Sequence, residues 1–131
     1  TPQTYALMLK GAERLEQGLL DGLQRFEQAW TVSRLGARME LQFVATAPRQ
    51  ATQARAAEHP LLQSLLHVFM LNRGVVLTPF HCMMLVSPMT SSAQIDHLLV
   101  VFEQFLEMLT QHTLPLKQPP PRRARSAAAP R

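Results

Sequence analysis

Residues 33–43 read "SRLGARMELQF", with Leu35, Ala37, Met39, Leu41 and Phe43 at the odd positions and Arg34, Gly36, Arg38, Glu40 and Gln42 between them. Successive side chains of a strand point to opposite faces, so this alternation predicts one continuous strand over 33–44. Its apolar face packs on a core and its polar face meets solvent, as in an antiparallel sheet covered by helices on one side.

Upstream of it, Met8, Ala12, Leu15, Leu19, Leu23, Phe26 and Trp30 recur at steps of three and four, with charged residues mainly opposite. That spacing predicts an amphipathic helix packed over the strand. Thr1 suits the N-cap and Pro2 the first turn, and Asp21 and Arg25 are ordered for a helical ion pair. Gly11, Gly18 and Gly22 weaken the helix somewhat.

Downstream, residues 45–59 lose the alternation and read as a loop with a short Ala-rich helical turn. A second helix opens at Pro60 and closes at Gly74, where a C-terminal cap belongs. Its polar positions Gln63, Ser64 and His67 form only a narrow stripe, so it is expected to be covered on more than one side. "VVLTP" (75–79) and "MMLVSP" (83–88) then read as two short strands bracketing a turn, each stopped by a proline that cannot donate to a ladder. The last helix begins at Ser91, which forms a capping box with Gln94. Its core stripe is Ile95, Leu98, Leu99, Phe102, Phe105, Leu106 and Leu109. The predicted class is α+β, a small antiparallel or mixed sheet with helices on one face, in the order α-β-α-β-β-α.

At 131 residues the chain suits one modest domain, and no apolar run reaches the roughly 20 residues of a membrane-spanning helix. The reading is a soluble, untargeted chain. A single Cys82 excludes an internal disulfide framework and suits the cytoplasm. Lys117, Arg122, Arg123, Arg125 and Arg131 account for much of the net charge of +4, leaving eight basic against nine acidic residues in positions 1–114. Residues 113–131 are therefore expected to be a disordered Pro/Arg-rich tail, and no specific nucleic-acid binding is expected of the body at 1–112.

Candidate chemistry concentrates in "LTPFHC" (77–82). His81 and Cys82 are neighbours, which on a strand face opposite ways, so no shared metal site is expected. His67, His97 and His112 read as helix-surface or hydrogen-bonded histidines, and Glu103 and Glu107 as a solvated helix face. No catalytic residue is assigned.

The stretch "LNRGVVLTPFHCMMLVSPMTSSAQIDHLLVVFEQFLEML" (71–109), preceded by "SRLGARMELQF", resembles the C-terminal small domain of class III pyridoxal-phosphate-dependent aminotransferases, in particular the glutamate-1-semialdehyde aminomutase branch. The resemblance rests on a glycine after a helix, a short strand ending at Pro79, a second ending in "SP", and a capped helix with Asp96 early in it; it spans residues 1–112. It implies a small domain docked on a large cofactor domain, in a homodimeric parent that transfers or shifts an amino group. It also implies that Thr78, Phe80 and His81 line the substrate side of the pocket. Several branches place an arginine before the matching proline to hold a substrate carboxylate; here that residue is Thr78, which leaves the donor substrate open. The lysine that such chemistry needs has only Lys10 and Lys117 as candidates, one on a charged helix face and one in the tail. Pyridoxal phosphate is thus expected in the parent and not on this chain alone.

Two further classes fit the same elements. A free-standing α+β binding or regulatory module would need no lysine and would be stable and monodisperse by itself. A cofactor-independent enzyme would depend on a reactive Cys82 beside His81.

Overall fold

The computed structural model describes residues 1–112. The expected tail, 113–131, lies outside the described residues. Four helices, α1 (Pro2–Arg25), α2 (Ala51–Ala56), α3 (Pro60–Leu71) and α4 (Ser92–His112), accompany three strands, β1 (Thr31–Leu35), β2 (Arg38–Gln42) and β3 (Met83–Leu85). The strands form an antiparallel sheet in the order β1-β2-β3. The class is the expected α+β.

The continuous strand over 33–44 is replaced by a hairpin. Gly36, at φ +61°, occupies the first central position of a two-residue turn, where a glycine is favoured. The turn changes the parity of the alternation. Along one strand Leu35 and Met39 would share a face, but the turn pairs Leu35 with Arg38, whose face also carries Glu40 and Gln42. Leu35 is consequently 84% exposed, while Met39 and Leu41 enter the core. Their cross-strand partners are Arg34 and Val32; Arg34 reaches α1, its Nε donating to Glu16 Oε2 at 2.6 Å. Phe43, expected in the core, lies just past β2 and is half-buried, edge-on to Trp30 at 4.8 Å between ring centres.

The second departure is at "VVLTP". Its side chains alternate as a strand's would, with Val75 and Leu77 buried and Val76 exposed. Among the described backbone bonds, however, none joins it to a neighbouring strand. It is an extended connector between α3 and β3. The element order is therefore α-β-β-α-α-β-α.

Local signals at the helix ends act as expected. Thr1 Oγ1 accepts from the Thr4 amide at 3.2 Å. The Ser91 and Gln94 side chains each accept from the other's backbone N–H, at 3.2 and 2.8 Å. His59 caps α3 through Nδ1, which accepts from Leu62 N–H at 3.2 Å.

Helices α1 and α4 run parallel and meet closely. A Cβ added at Gly18 would fall 2.4 Å from Leu99 Cδ1, so glycine leaves the space that the Leu99 side chain occupies. Leu15, Leu19 and Leu23 from α1 join Phe102, Phe105 and Leu106 from α4 in one core with Met39, Leu66 and Met70. The predicted Asp21–Arg25 pair does not form. Arg25 instead donates to both oxygens of Glu103 on α4, at 2.8 and 2.9 Å, and Asp21 accepts from Gln17. Glu103, expected on a solvated face, is thereby an inter-helix anchor, and Arg14 makes a second such bridge to Asp96. On α3 the described residues cover one side only: Leu62, Leu66, Phe69 and Met70 are buried, while Leu61, Leu65 and Val68 form an exposed apolar stripe.

Candidate functional site

The segment that carries Thr78, Phe80 and His81 is built from the end of α3 outward. Gly74, at φ +80°, closes the helix: its N–H bonds to Leu71 C=O at 3.1 Å and that of Val75 to Met70 C=O at 3.0 Å. This is the Schellman pattern, and it turns the chain sharply into the connector. Buried Val75 and Leu77 hold the connector to the core, leaving 78–82 as a projecting turn.

Thr78 is the clamp of that turn. Its hydroxyl donates to Phe80 C=O at 2.5 Å and accepts from Met83 N–H at 3.0 Å. Both bonds are internal, so the hydroxyl is spent on the turn's shape. Phe80 is 57% exposed, with its ring edge-to-face against His81 at 5.7 Å. His81 and Cys82 are both left-handed, at φ +59° and +41°, conformations that cost non-glycine residues free energy and persist only where the surroundings enforce them. The pair sends the imidazole outward and the thiol inward: His81 is exposed, Cys82 1% exposed.

Burial pushes the Cys82 thiol up to about 11, so it stays protonated at neutral pH. A nucleophilic cysteine needs the opposite shift, which removes the chemical basis for a His81–Cys82 enzyme. Among the described residues no three His, Cys, Asp or Glu side chains gather as a metal set.

A groove of about 880 Å³ runs between the connector, β3 and the first turns of α4, with Thr78 on its rim. Its polar side chains are already engaged. His67 Nδ1 lies 2.8 Å from Leu77 O, His97 Nε2 lies 2.8 Å from Arg73 O, and Thr90 and Gln94 accept backbone N–H groups. His81 borders a separate pocket of about 70 Å³ with Glu40 and Glu58. The structure thus brings Phe80 and His81 together at the tip of the turn and gives Thr78 the role of holding them. The roles of His67 and His97 toward backbone carbonyls have no signature in sequence spacing.

Lys10 is exposed on α1, and the described glycines are dispersed among helices and turns. No helix is long and apolar enough to cross a membrane among the described residues.

The fold defined by this hairpin, connector and helix pair is that of a segment of the pyridoxal-phosphate-dependent aminotransferases. The chain is similar over 83% of its length to glutamate-1-semialdehyde aminomutase from Pseudomonas aeruginosa PAO1, solved as a variant in complex with PMP, at 37% identity and a TM-score of 0.81. It spans only 24% of that aminomutase. The β-phenylalanine aminotransferase of Variovorax paradoxus shares the fold at 21% identity and a TM-score of 0.72, with 81% of this chain and 24% of that one covered. An omega-transaminase from Sphaerobacter thermophilus does so at 17% and 0.67, over 82% and 24%. No protein-family model and no curated protein matches the sequence. The resemblance drawn from residues 33–109 is therefore matched in three dimensions.

Proposed function

We propose that the chain is the C-terminal small-domain fragment of a pyridoxal-phosphate-dependent aminotransferase or aminomutase, inactive alone, that supplies one wall of the substrate pocket. The observation that carries this reading is the asymmetry of the match: 83% of this chain aligns with the aminomutase while three quarters of that enzyme has no counterpart here. The single lysine among the described residues, Lys10, stands exposed on a helix and lacks the desolvated surroundings that tune a catalytic amine.

In the parent, pyridoxal phosphate supplies the electron sink for moving an amino group, and the parent's large domain holds it. This chain's part is geometric. Thr78 fixes the turn, Phe80 offers an apolar ring, and His81 offers an imidazole at the same tip. The exposed stripe of Leu61, Leu65 and Val68 supports docking on the large domain, since contiguous apolar surface marks an interface. Homodimeric assembly and a cytoplasmic setting belong to the same proposal.

The test is to titrate the chain with pyridoxal phosphate, reduce with borohydride, map the labelled amines by mass spectrometry, and assay amino transfer in parallel. Scattered substoichiometric labelling without turnover is expected. Stoichiometric labelling of one lysine with turnover would show a complete enzyme instead.

A further inference from the structure

We infer that His67 and His97 are positioning residues that pin the connector between α3 and β3 from two different helices, in opposite tautomers, and so set where the 78–82 turn stands. The geometry is direct. His67 on α3 and His97 on α4 each place a ring nitrogen 2.8 Å from a main-chain carbonyl: Leu77 O within the connector, and Arg73 O in the turn that leads into it. A carbonyl oxygen only accepts, so the nitrogen facing it carries the proton. His67 is therefore Nδ1–H and His97 Nε2–H whenever the rings are neutral. The second nitrogen of each is free of this constraint.

The need for pins follows from the backbone. Among the described residues no ladder bond ties 75–79 to a strand; Val75 N–H bonds back to Met70 C=O, the side chains of Val75 and Leu77 are buried, and the two histidine bonds add fixed points from α3 and α4. Thr78 then transmits that placement to Phe80 and His81 by the two bonds of its hydroxyl. A shift at Leu77 moves the next residue, which is the clamp. That the placement matters for a substrate rests on the proposed function; the pinning itself does not.

Two measurements on the full 131-residue chain test this. Long-range proton–nitrogen correlation spectra at neutral pH report tautomers directly: His67 is expected as Nδ1–H and His97 as Nε2–H. An Nε2–H His67, or rapid averaging of either ring, overturns the assignment. Limited chymotrypsin digestion reads the turn, because Phe80 is exposed and cleavage after it needs local opening. Losing one carbonyl bond in His67→Ala or His97→Ala is expected to speed cleavage after Phe80 by about tenfold, while cleavage after Tyr5 is unchanged. His67→Asn and His97→Gln each return an amide N–H near the lost ring nitrogen and are expected to restore slow cleavage. Equal acceleration at Tyr5 and Phe80 would mean general destabilisation and would refute a local pin, as would an unchanged rate. The borohydride experiment reads lysines and turnover, so either test can fail alone.

Discussion

The α1–α4 contact and the α3–connector side of the molecule are held by different chemistry. Between α1 and α4, apolar stripes interdigitate around Gly18, and the Arg25–Glu103 and Arg14–Asp96 pairs flank the seam. On the other side, α3 buries one stripe and exposes a second, and the connector beyond it is fastened by histidine-to-carbonyl bonds. The first region is sealed by burial of apolar surface within this chain. The second is directional and leaves apolar surface outside.

Substitutions can sharpen that contrast. The largest effect is expected from Leu41→Asp in β2, which puts a carboxylate into the core shared by both regions; it should cost about 3–5 kcal/mol and be visible as a lost or strongly lowered melting transition. Gly18→Val drives a branched side chain into Leu99 and should cost about 1–3 kcal/mol by denaturant titration. A neutral outcome there would mean that the helices can slide apart freely. Arg25→Met removes a surface pair and should cost only about 0.2–1 kcal/mol, a difference that shrinks in high salt. Leu61→Ser, on the exposed stripe of α3, should leave stability within about 0.5 kcal/mol of the unsubstituted chain by denaturant titration. A large loss of stability at Leu61 would make the α3 surface part of this chain's own core and would erase the contrast.

What could be read in advance divides along a physical line. Caps and stripes are local, so Thr1, Gly74, the Ser91–Gln94 box and the core positions of α4 were legible from spacing alone. The hairpin was not, because odd-position apolar residues persist on both sides of a two-residue turn, and only Gly36 marks the change of face. "VVLTP" has the composition of a strand, but pairing depends on what lies beside it, and Leu77 C=O faces His67 instead. At the candidate site, Phe80 and His81 are exposed at the tip of the turn. The service of Thr78 as a clamp and of His67 and His97 as pins depends on how a turn and two helix ends are placed against main-chain groups, which no periodicity encodes.

The pairing of α1 with α4 also governs when the fold can come into being. Residues 11–22 pack against 86–106, so this apolar contact joins nearly the two ends of the described chain. Contacts of such long sequence separation are made late and slow the search, since the intervening loop must close before burial rewards it. On a ribosome, α1 emerges before the hairpin and well before α4, so its stripe of Ala12, Leu15, Leu19 and Leu23 meets its α4 partners last. The hairpin is the first unit able to shield it, which gives the small sheet a role in time as well as in space.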